Sequence, residues 1–346
     1  MSGSNPIIRA LVVDDSPFVR KVVREMLLRS PFIEVAGSAR DGQEALEMAA
    51  ELKPDVITCD LTMPRMNGAE FVRAQMKAAP VPILILSASP ADGEMVVEAM
   101  DAGAVDFVQK PTALANENLL AVREELTEKV KAAARAPLRT LQPKLLPRTA
   151  IHAPTQHKSN IVVLGISTGG PQALRYLLPQ LPADLPVPLL VVLHMPVGYT
   201  ALFAAKLAEL SKIKVCEAQD GCPVLPGTVI IGQAGRHMVI RRDESGKAHI
   251  MLTAKPYDKP HRPSVDVLFQ SAAEIYKSRV LAIVMTGMGD DGKEGAAWVK
   301  AHGGRVITES EESCVIYGMP RCVVDAGLSD FSAPLAGMAE AIMKNL

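Results

Sequence analysis

The sequence predicts two successive α/β domains, each a parallel sheet with helices on both faces, joined by a basic, proline-containing linker. Two observations carry this. Strand-like apolar runs alternate with helix-period segments five times in residues 1–126, and the alternation resumes across 161–346; such a pattern packs as βαβ units. Between them, in 127–160, apolar periodicity fades after Val130, and Pro137, Pro143, Pro147 and Pro154 follow among basic residues. Proline removes backbone donors and favours extended chain, so this stretch reads as a semi-stiff tether. His152 and His157 lie in it and read as solvated.

In the first domain, a strand at 8–13 ends in Asp14 and Asp15. After Ser16-Pro17, Phe18, Val22, Val23, Met26 and Leu27 recur at helical spacing, and Pro31 closes that helix. A strand at 33–38, a helix from Gly42, and a strand at 56–59 ending in Asp60 follow. Later strands at 83–86 and 105–108 lead to Ser87 and Lys110. Asp14, Asp15, Asp60, Ser87 and Lys110 thus all fall at carboxyl ends of strands, the edge where ligands bind in such sheets. Three crowded carboxylates repel one another unless a cation sits among them, and hard oxygen donors suit Mg²⁺. One carboxylate is then able to accept a phosphoryl group whose oxygens Lys110 and Ser87 would hold.

The second domain opens on Ile161-Val-Val-Leu-Gly165-Ile-Ser167-Thr-Gly169-Gly170-Pro171. An aliphatic strand stopping at glycine, a serine in the turn, and a proline suited to the first helical turn would expose the serine hydroxyl beside a helix N-terminus. The spacing Gly165-x-Ser167-x-Gly169 fits a nucleophile elbow; it also fits a phosphate-binding glycine turn. A strand at 187–193 ends in His194, and another at 280–285 leads to Asp290 and Asp291. Serine needs a base, and the base needs an acid to orient it. His194, His237 and His261 are the candidate bases, and only His194 directly ends a long apolar strand. Spacing alone leaves Asp290 and Asp291 equal. Residues 215–250 predict short strands or hairpins, and Ser264 is expected to cap the helix that follows it.

Composition bounds the rest. The 346 residues are 48% hydrophobic but only 4% aromatic, so the cores are aliphatic. Net charge is −1, unevenly spread: 12 Lys+Arg against 19 Asp+Glu in 1–126, 7 against 1 in 127–160, and 18 of each in 161–346. No recognition helix or aromatic platform accompanies the basic stretch, which counts against nucleic acid as a partner. The N-terminus lacks a signal-peptide run and no stretch approaches the ~20 apolar residues of a membrane span, so a cytoplasmic chain without membrane insertion is expected. Five cysteines without a C-x-x-C pair indicate neither a zinc site nor a disulfide framework.

These segments resemble known families. LVVDDS (11–16), PDVITCDLTMPRMNG (54–68), LILSAS (84–89) and AGAVDFVQKP (102–111) are similar to the receiver domain of two-component response regulators. The resemblance implies Asp60 as phosphoacceptor, and Asp14, Asp15, Asp60 and the Thr62 carbonyl as Mg²⁺ ligands. It further implies Ser87 and Phe107 as switch residues, Lys110 as phosphate partner, and a histidine kinase as phosphodonor. Asn67 stands where the family usually has aspartate.

GISTGGP (165–171), HMPVGYT (194–200), LPGTVIIGQAGRHM (225–238), HRPSVDVLF (261–269), TGMGDDG (286–292) and SCVIYGMP (313–320) resemble the catalytic domain of chemotaxis protein-glutamate methylesterases. That resemblance implies Ser167 as nucleophile, His194 as base, Asp291 as orienting acid and the Met288 N–H as oxyanion donor. It implies no cofactor for the ester reaction, and chemoreceptor glutamate γ-methyl esters as substrate, with deamidation of receptor glutamines as a related activity. Docking of the receiver would inhibit, and phosphorylation would release. Ile166 replaces the usual alanine, and its bulk points to packing.

Overall fold

The chain falls into two units, residues 1–142 and 143–346. The computed structural model describes residues 6–110, 119–135, 159–256 and 258–346; the four linker prolines, His152 and His157 lie outside the described residues.

The first unit runs β1 (Ile8–Val13), α1 (Pro17–Leu28), β2 (Ile33–Ala39), α2 (Gly42–Leu52), β3 (Val56–Asp60), α3 (Gly68–Ala78), β4 (Ile83–Ser87), α4 (Gly93–Ala102), β5 (Asp106–Gln109) and α5 (Leu119–Arg135). Its five strands are parallel in the order β2-β1-β3-β4-β5, so the expected doubly wound sheet is present. Every residue of β3 and β4 is buried, as strands covered on both faces require. Helix starts follow the local chemistry. Ser16 Oγ accepts the Val19 N–H ahead of Pro17, and the Asp41 carboxylate accepts the Gln43 and Glu44 N–H groups. Asn67 and Glu70 form a reciprocal capping box at α3. Asparagine caps a helix as well as aspartate does, which accounts for Asn67 being tolerated here.

The boundary expected at residue 126 moves. Helix α5 continues to Arg135, with Leu126, Val130 and Ala133 fully buried. On the same face, Lys129 sends its ammonium to Asp106 (3.1 Å) and Glu125 (3.0 Å) and donates to the Phe107 carbonyl (2.9 Å). A lysine at an apolar helix position reads as solvent-facing in sequence, which conceals that this face of the helix is buried.

The second unit runs β6 (Ile161–Ile166), α6 (Gly170–Leu177), β7 (Leu189–Leu193), α7 (Thr200–Leu210), β8 (Lys214–Glu217), β9 (Thr228–Ile231), β10 (His237–Arg242), β11 (Ala248–Thr253), α8 (Val265–Tyr276), β12 (Val280–Val284), α9 (Lys293–Ala301), β13 (Arg305–Glu309), α10 (Met319–Asp325), β14 (Phe331–Ala333) and α11 (Leu335–Lys344). Seven parallel strands pair in the order β14-β13-β12-β6-β7-β9-β8. Period-2 alternation divides the central strands between two cores: Val162, Leu164 and Ile166 face one, Ile161 and Val163 the other. Ile166 packs as its bulk suggested.

Two expectations change. Among the described residues only β10 and β11 make an antiparallel hairpin, whereas β8 and β9, short strands within the stretch where a hairpin-rich insert is expected, extend the main sheet in parallel. The strand also does not stop at Gly165. It runs through to Ile166, and the glycine is needed because any Cβ there would collide with the Val265 side chain at the start of α8.

Lys129→Ala would leave the buried Asp106 carboxylate without its cation. It should destabilise the first unit by about 3–5 kcal/mol, read as an earlier denaturant transition for that unit alone.

Candidate functional site

In the first unit, β1 pairs with β3 so that Val13 lies opposite Cys59, which places Asp14 level with Asp60 one step on. Asp14 and Asp60 are buried and Asp15 is exposed. One oxygen from each of the three carboxylates falls within a 4.8 Å cluster. The Lys110 ammonium lies 2.8 Å from Asp14 Oδ2 and 2.7 Å from Asp60 Oδ1, and so offsets the repulsion of two buried acids. Burial nevertheless pushes the Asp60 carboxyl above the ordinary aspartate range, against the hydrogen bond and charge of Lys110. Three hard oxygen donors, one facing solvent, fit a Mg²⁺ ion that keeps several waters. The Thr62 N–H donates to Asp60 Oδ1 (3.3 Å). The Ser87 hydroxyl is within reach of Asp92 Oδ2 (3.1 Å) and the Ser89 carbonyl (3.2 Å), and Phe107 is buried in β5.

In the second unit, β6 lies between β12 and β7, where the strand order reverses, and a cleft at the carboxyl edge is expected at such a point. Ile166 pairs with Leu193, and the His194 N–H continues the ladder to the Ile166 carbonyl (3.1 Å). Ser167 and His194 are therefore neighbours across the strand ends. On the other side, the Ser167 N–H donates to the Thr286 carbonyl (3.0 Å). Gly287 permits this closeness, because a Cβ there would sit 2.7 Å from Ser167 Cβ.

His194 Nε2 lies 2.8 Å from Asp291 Oδ2, and both side chains are 8% exposed. The ionised carboxylate accepts from Nε2–H, which leaves Nδ1 as the ring's lone pair. Nδ1 is buried and has no hydrogen-bond partner. Asp291 is heavily donated to: Oδ1 by Ser264 Oγ (2.9 Å) and the Asp266 N–H (3.0 Å), Oδ2 by the Val265 N–H (2.8 Å). Those N–H groups are the unpaired start of α8, where the helix dipole favours an anion. Burial pushes the Asp291 carboxyl up, but the His194 hydrogen bond and charge and these backbone donors outweigh it and hold it well below the usual range. Asp290 is exposed, so the structure separates the two aspartates that spacing left equal.

The other histidines are occupied elsewhere. The Ser264 N–H donates to His237 Nδ1 (3.2 Å), so Nε2 carries the proton and donates to the Pro256 carbonyl (3.0 Å). His261 is exposed and stacks on His194, with ring centroids 4.1 Å apart. Ser264 occupies the N-cap of α8, but its hydroxyl serves Asp291 rather than its own helix, contrary to expectation. Sequence reading missed Asp266, whose Oδ1 accepts the Gly292 (2.9 Å) and Gly295 (2.8 Å) N–H groups at the start of α9. An acid in a first helical turn signals its own helix's dipole, not a neighbour's. For Met288, among the described residues no acceptor engages its N–H.

Since the folded Asp291 carboxyl lies below its unfolded value, its contribution to stability is full above about pH 4 and is lost as pH falls toward the folded value. Asp291→Asn should flatten this acid limb in a pH series of melts. By disturbing the His194 tautomer it should also lower kcat about 1,000-fold or more.

Comparison with known proteins agrees with this layout. A family model described as CheB methylesterase matches residues 162–342, and one described as response regulator receiver domain matches 10–122. The protein-glutamate methylesterase/protein-glutamine glutaminase 5 of Myxococcus xanthus is 46% identical over 98% of both chains. The Thermotoga maritima protein-glutamate methylesterase/protein-glutamine glutaminase is 41% identical, again over 98% of each. The solved CheB methylesterase catalytic domain from Thermotoga maritima matches at TM-score 0.53 and 41% identity, covering 55% of this chain and 100% of that one. With a receiver before a methylesterase domain and relatives aligned from end to end, the chain belongs to the CheB methylesterase family.

Proposed function

We propose that the second unit hydrolyses glutamate γ-methyl esters on chemoreceptors through Ser167, His194 and Asp291. The observation that carries this is the buried His194–Asp291 hydrogen bond, which leaves Nδ1 as the shielded lone pair of a ring whose residue follows the strand paired with the one that leads into Ser167. Ser167 Oγ attacks the ester carbonyl carbon while Nδ1 takes the hydroxyl proton. The Met288 N–H, with those of the glycine turn, stabilises the oxyanion; such donors contribute about 100–1,000-fold each. Nδ1 then hands its proton to the leaving methoxide, and methanol departs. Water adds to the acyl-serine as Nδ1 takes one of its protons, which returns to Ser167 Oγ as the glutamic acid side chain is released and loses its remaining proton to solvent. Asp291 holds the Nε2–H tautomer and stabilises the imidazolium. The same steps on a glutamine side chain expel ammonia, so deamidation is within reach of the site.

In the first unit, Asp60 is the phosphoacceptor, with Asp14, Asp15, Asp60 and the Thr62 carbonyl to hold Mg²⁺. When bound, the ion supplies charge neutralisation for the phosphoryl oxygens. Lys110 and Ser87 hold those oxygens and Phe107 responds to them, while a histidine kinase supplies the phosphoryl group. The receiver restrains hydrolysis until Asp60 is phosphorylated. Among the described residues no helix is long and apolar enough to cross a membrane.

Methanol release from methylated receptor membranes tests both halves. Ser167→Ala should show none, and release from that variant would refute the nucleophile. A small-molecule phosphodonor with Mg²⁺ should raise release by the wild type and leave the rate of Asp60→Asn where it stood.

A further inference from the structure

Thr286 is the node beneath the serine turn. Its carbonyl accepts the Ser167 N–H, and its hydroxyl donates to the Thr168 carbonyl (3.0 Å) while accepting the Ile316 N–H (3.0 Å). Its own N–H donates to Glu309 Oε2 (2.9 Å). Glu309 ends β13 with no solvent exposure at all. Its second oxygen accepts from Ser313 Oγ (2.8 Å), which in turn accepts the Leu335 N–H (2.9 Å) at the start of α11. Among the described residues no lysine, arginine or histidine pairs with it. Burial pushes the carboxyl up to about 7, against the Thr286 and Ser313 hydrogen bonds, and the titratable groups facing it are Cys314 and Glu312.

A buried acid with no cation weakens a fold, and an apolar residue of similar volume is usually better tolerated. What the carboxyl provides is an acceptor for the N–H of Thr286, the residue whose carbonyl takes the Ser167 N–H. We propose that Glu309 is a positioning residue for ester hydrolysis, holding the Thr286 backbone by its N–H and, through the Thr286 carbonyl, the Ser167 backbone in the geometry that presents the hydroxyl to His194. This rests on Ser167 being the nucleophile. Either protonation state keeps the link: ionised, Glu309 accepts from Ser313; protonated, it donates to Ser313 Oγ while Oε2 still accepts from Thr286.

A glutamine reproduces the protonated arrangement, its amide oxygen facing Thr286 and its amide nitrogen donating to Ser313 Oγ. A methionine fills comparable volume without an acceptor. In the full-length protein, Glu309→Gln should keep kcat within about threefold of wild type. Glu309→Met should lower kcat about 10–100-fold, as expected when a buried N–H loses its acceptor, with KM little changed. Labelling of Ser167 by a sulfonyl fluoride, followed by peptide mass spectrometry, should slow in parallel. Wild-type turnover and labelling in Glu309→Met would overturn the proposal, and so would a Glu309→Gln variant as impaired as the methionine one. An active Ser167→Ala variant would overturn the nucleophile assignment and this proposal together. An inactive Ser167→Ala beside a wild-type-like Glu309→Met would overturn this proposal alone.

Discussion

Two helix N-termini exchange carboxylates beside Ser167. Asp291, just before α9, caps the start of α8 through the Val265 and Asp266 N–H groups; Asp266, in the first turn of α8, caps the start of α9 through Gly292 and Gly295. Each helix therefore supplies the anion that the other's unpaired N–H groups require. This exchange makes a buried, ionised aspartate tolerable where His194 needs one. Lys259 completes it from outside, reaching Asp266 (3.1 Å) and Glu294 (2.5 Å). Because Asp266 and Asp291 are like charges that raise each other's cost, neither is stable there without its helix.

The first unit meets the same problem differently. Asp14 and Asp60 are buried side by side, each takes one backbone donor, from Ser16 and Thr62 respectively, and a single ammonium from Lys110 bridges both. A lysine is a compact point charge on a flexible stem, able to move when a cation or a phosphoryl group arrives. Asp291 is held by two backbone N–H groups and a hydroxyl at one helix start, whereas Asp14 and Asp60 share a charge that is able to move. The first arrangement suits a group that must change state, and the second a tautomer that must not.

Much of both sites was legible because α/β sheets place chemistry at the carboxyl ends of strands. Asp14, Asp60, Ser167 and His194 were each found by that rule. Glu309 obeys it too, as the last residue of β13, but a lone acid there drew no notice without its partner Thr286. The contacts of His261, one of the candidate bases, and of Asp266 were illegible for a different reason. One meets His194 by ring stacking from a loop, the other meets α9 across a helix–helix contact, and neither relation has a sequence spacing.

The sequence by itself determined the order of strands and helices, the two-unit division, and the residue types gathered at each sheet edge, because periodicity and strand-end position are local properties of the chain. Tertiary structure alone decided which aspartate faces His194, which of its ring nitrogens is left without a partner, and how far the buried face of α5 extends. Those depend on who donates to whom across 26 to 97 residues of chain, or on a buried lysine that only its distant partner Asp106 explains. Hydrogen-bond partnership at such separations is a property of packing, and no local pattern encodes it.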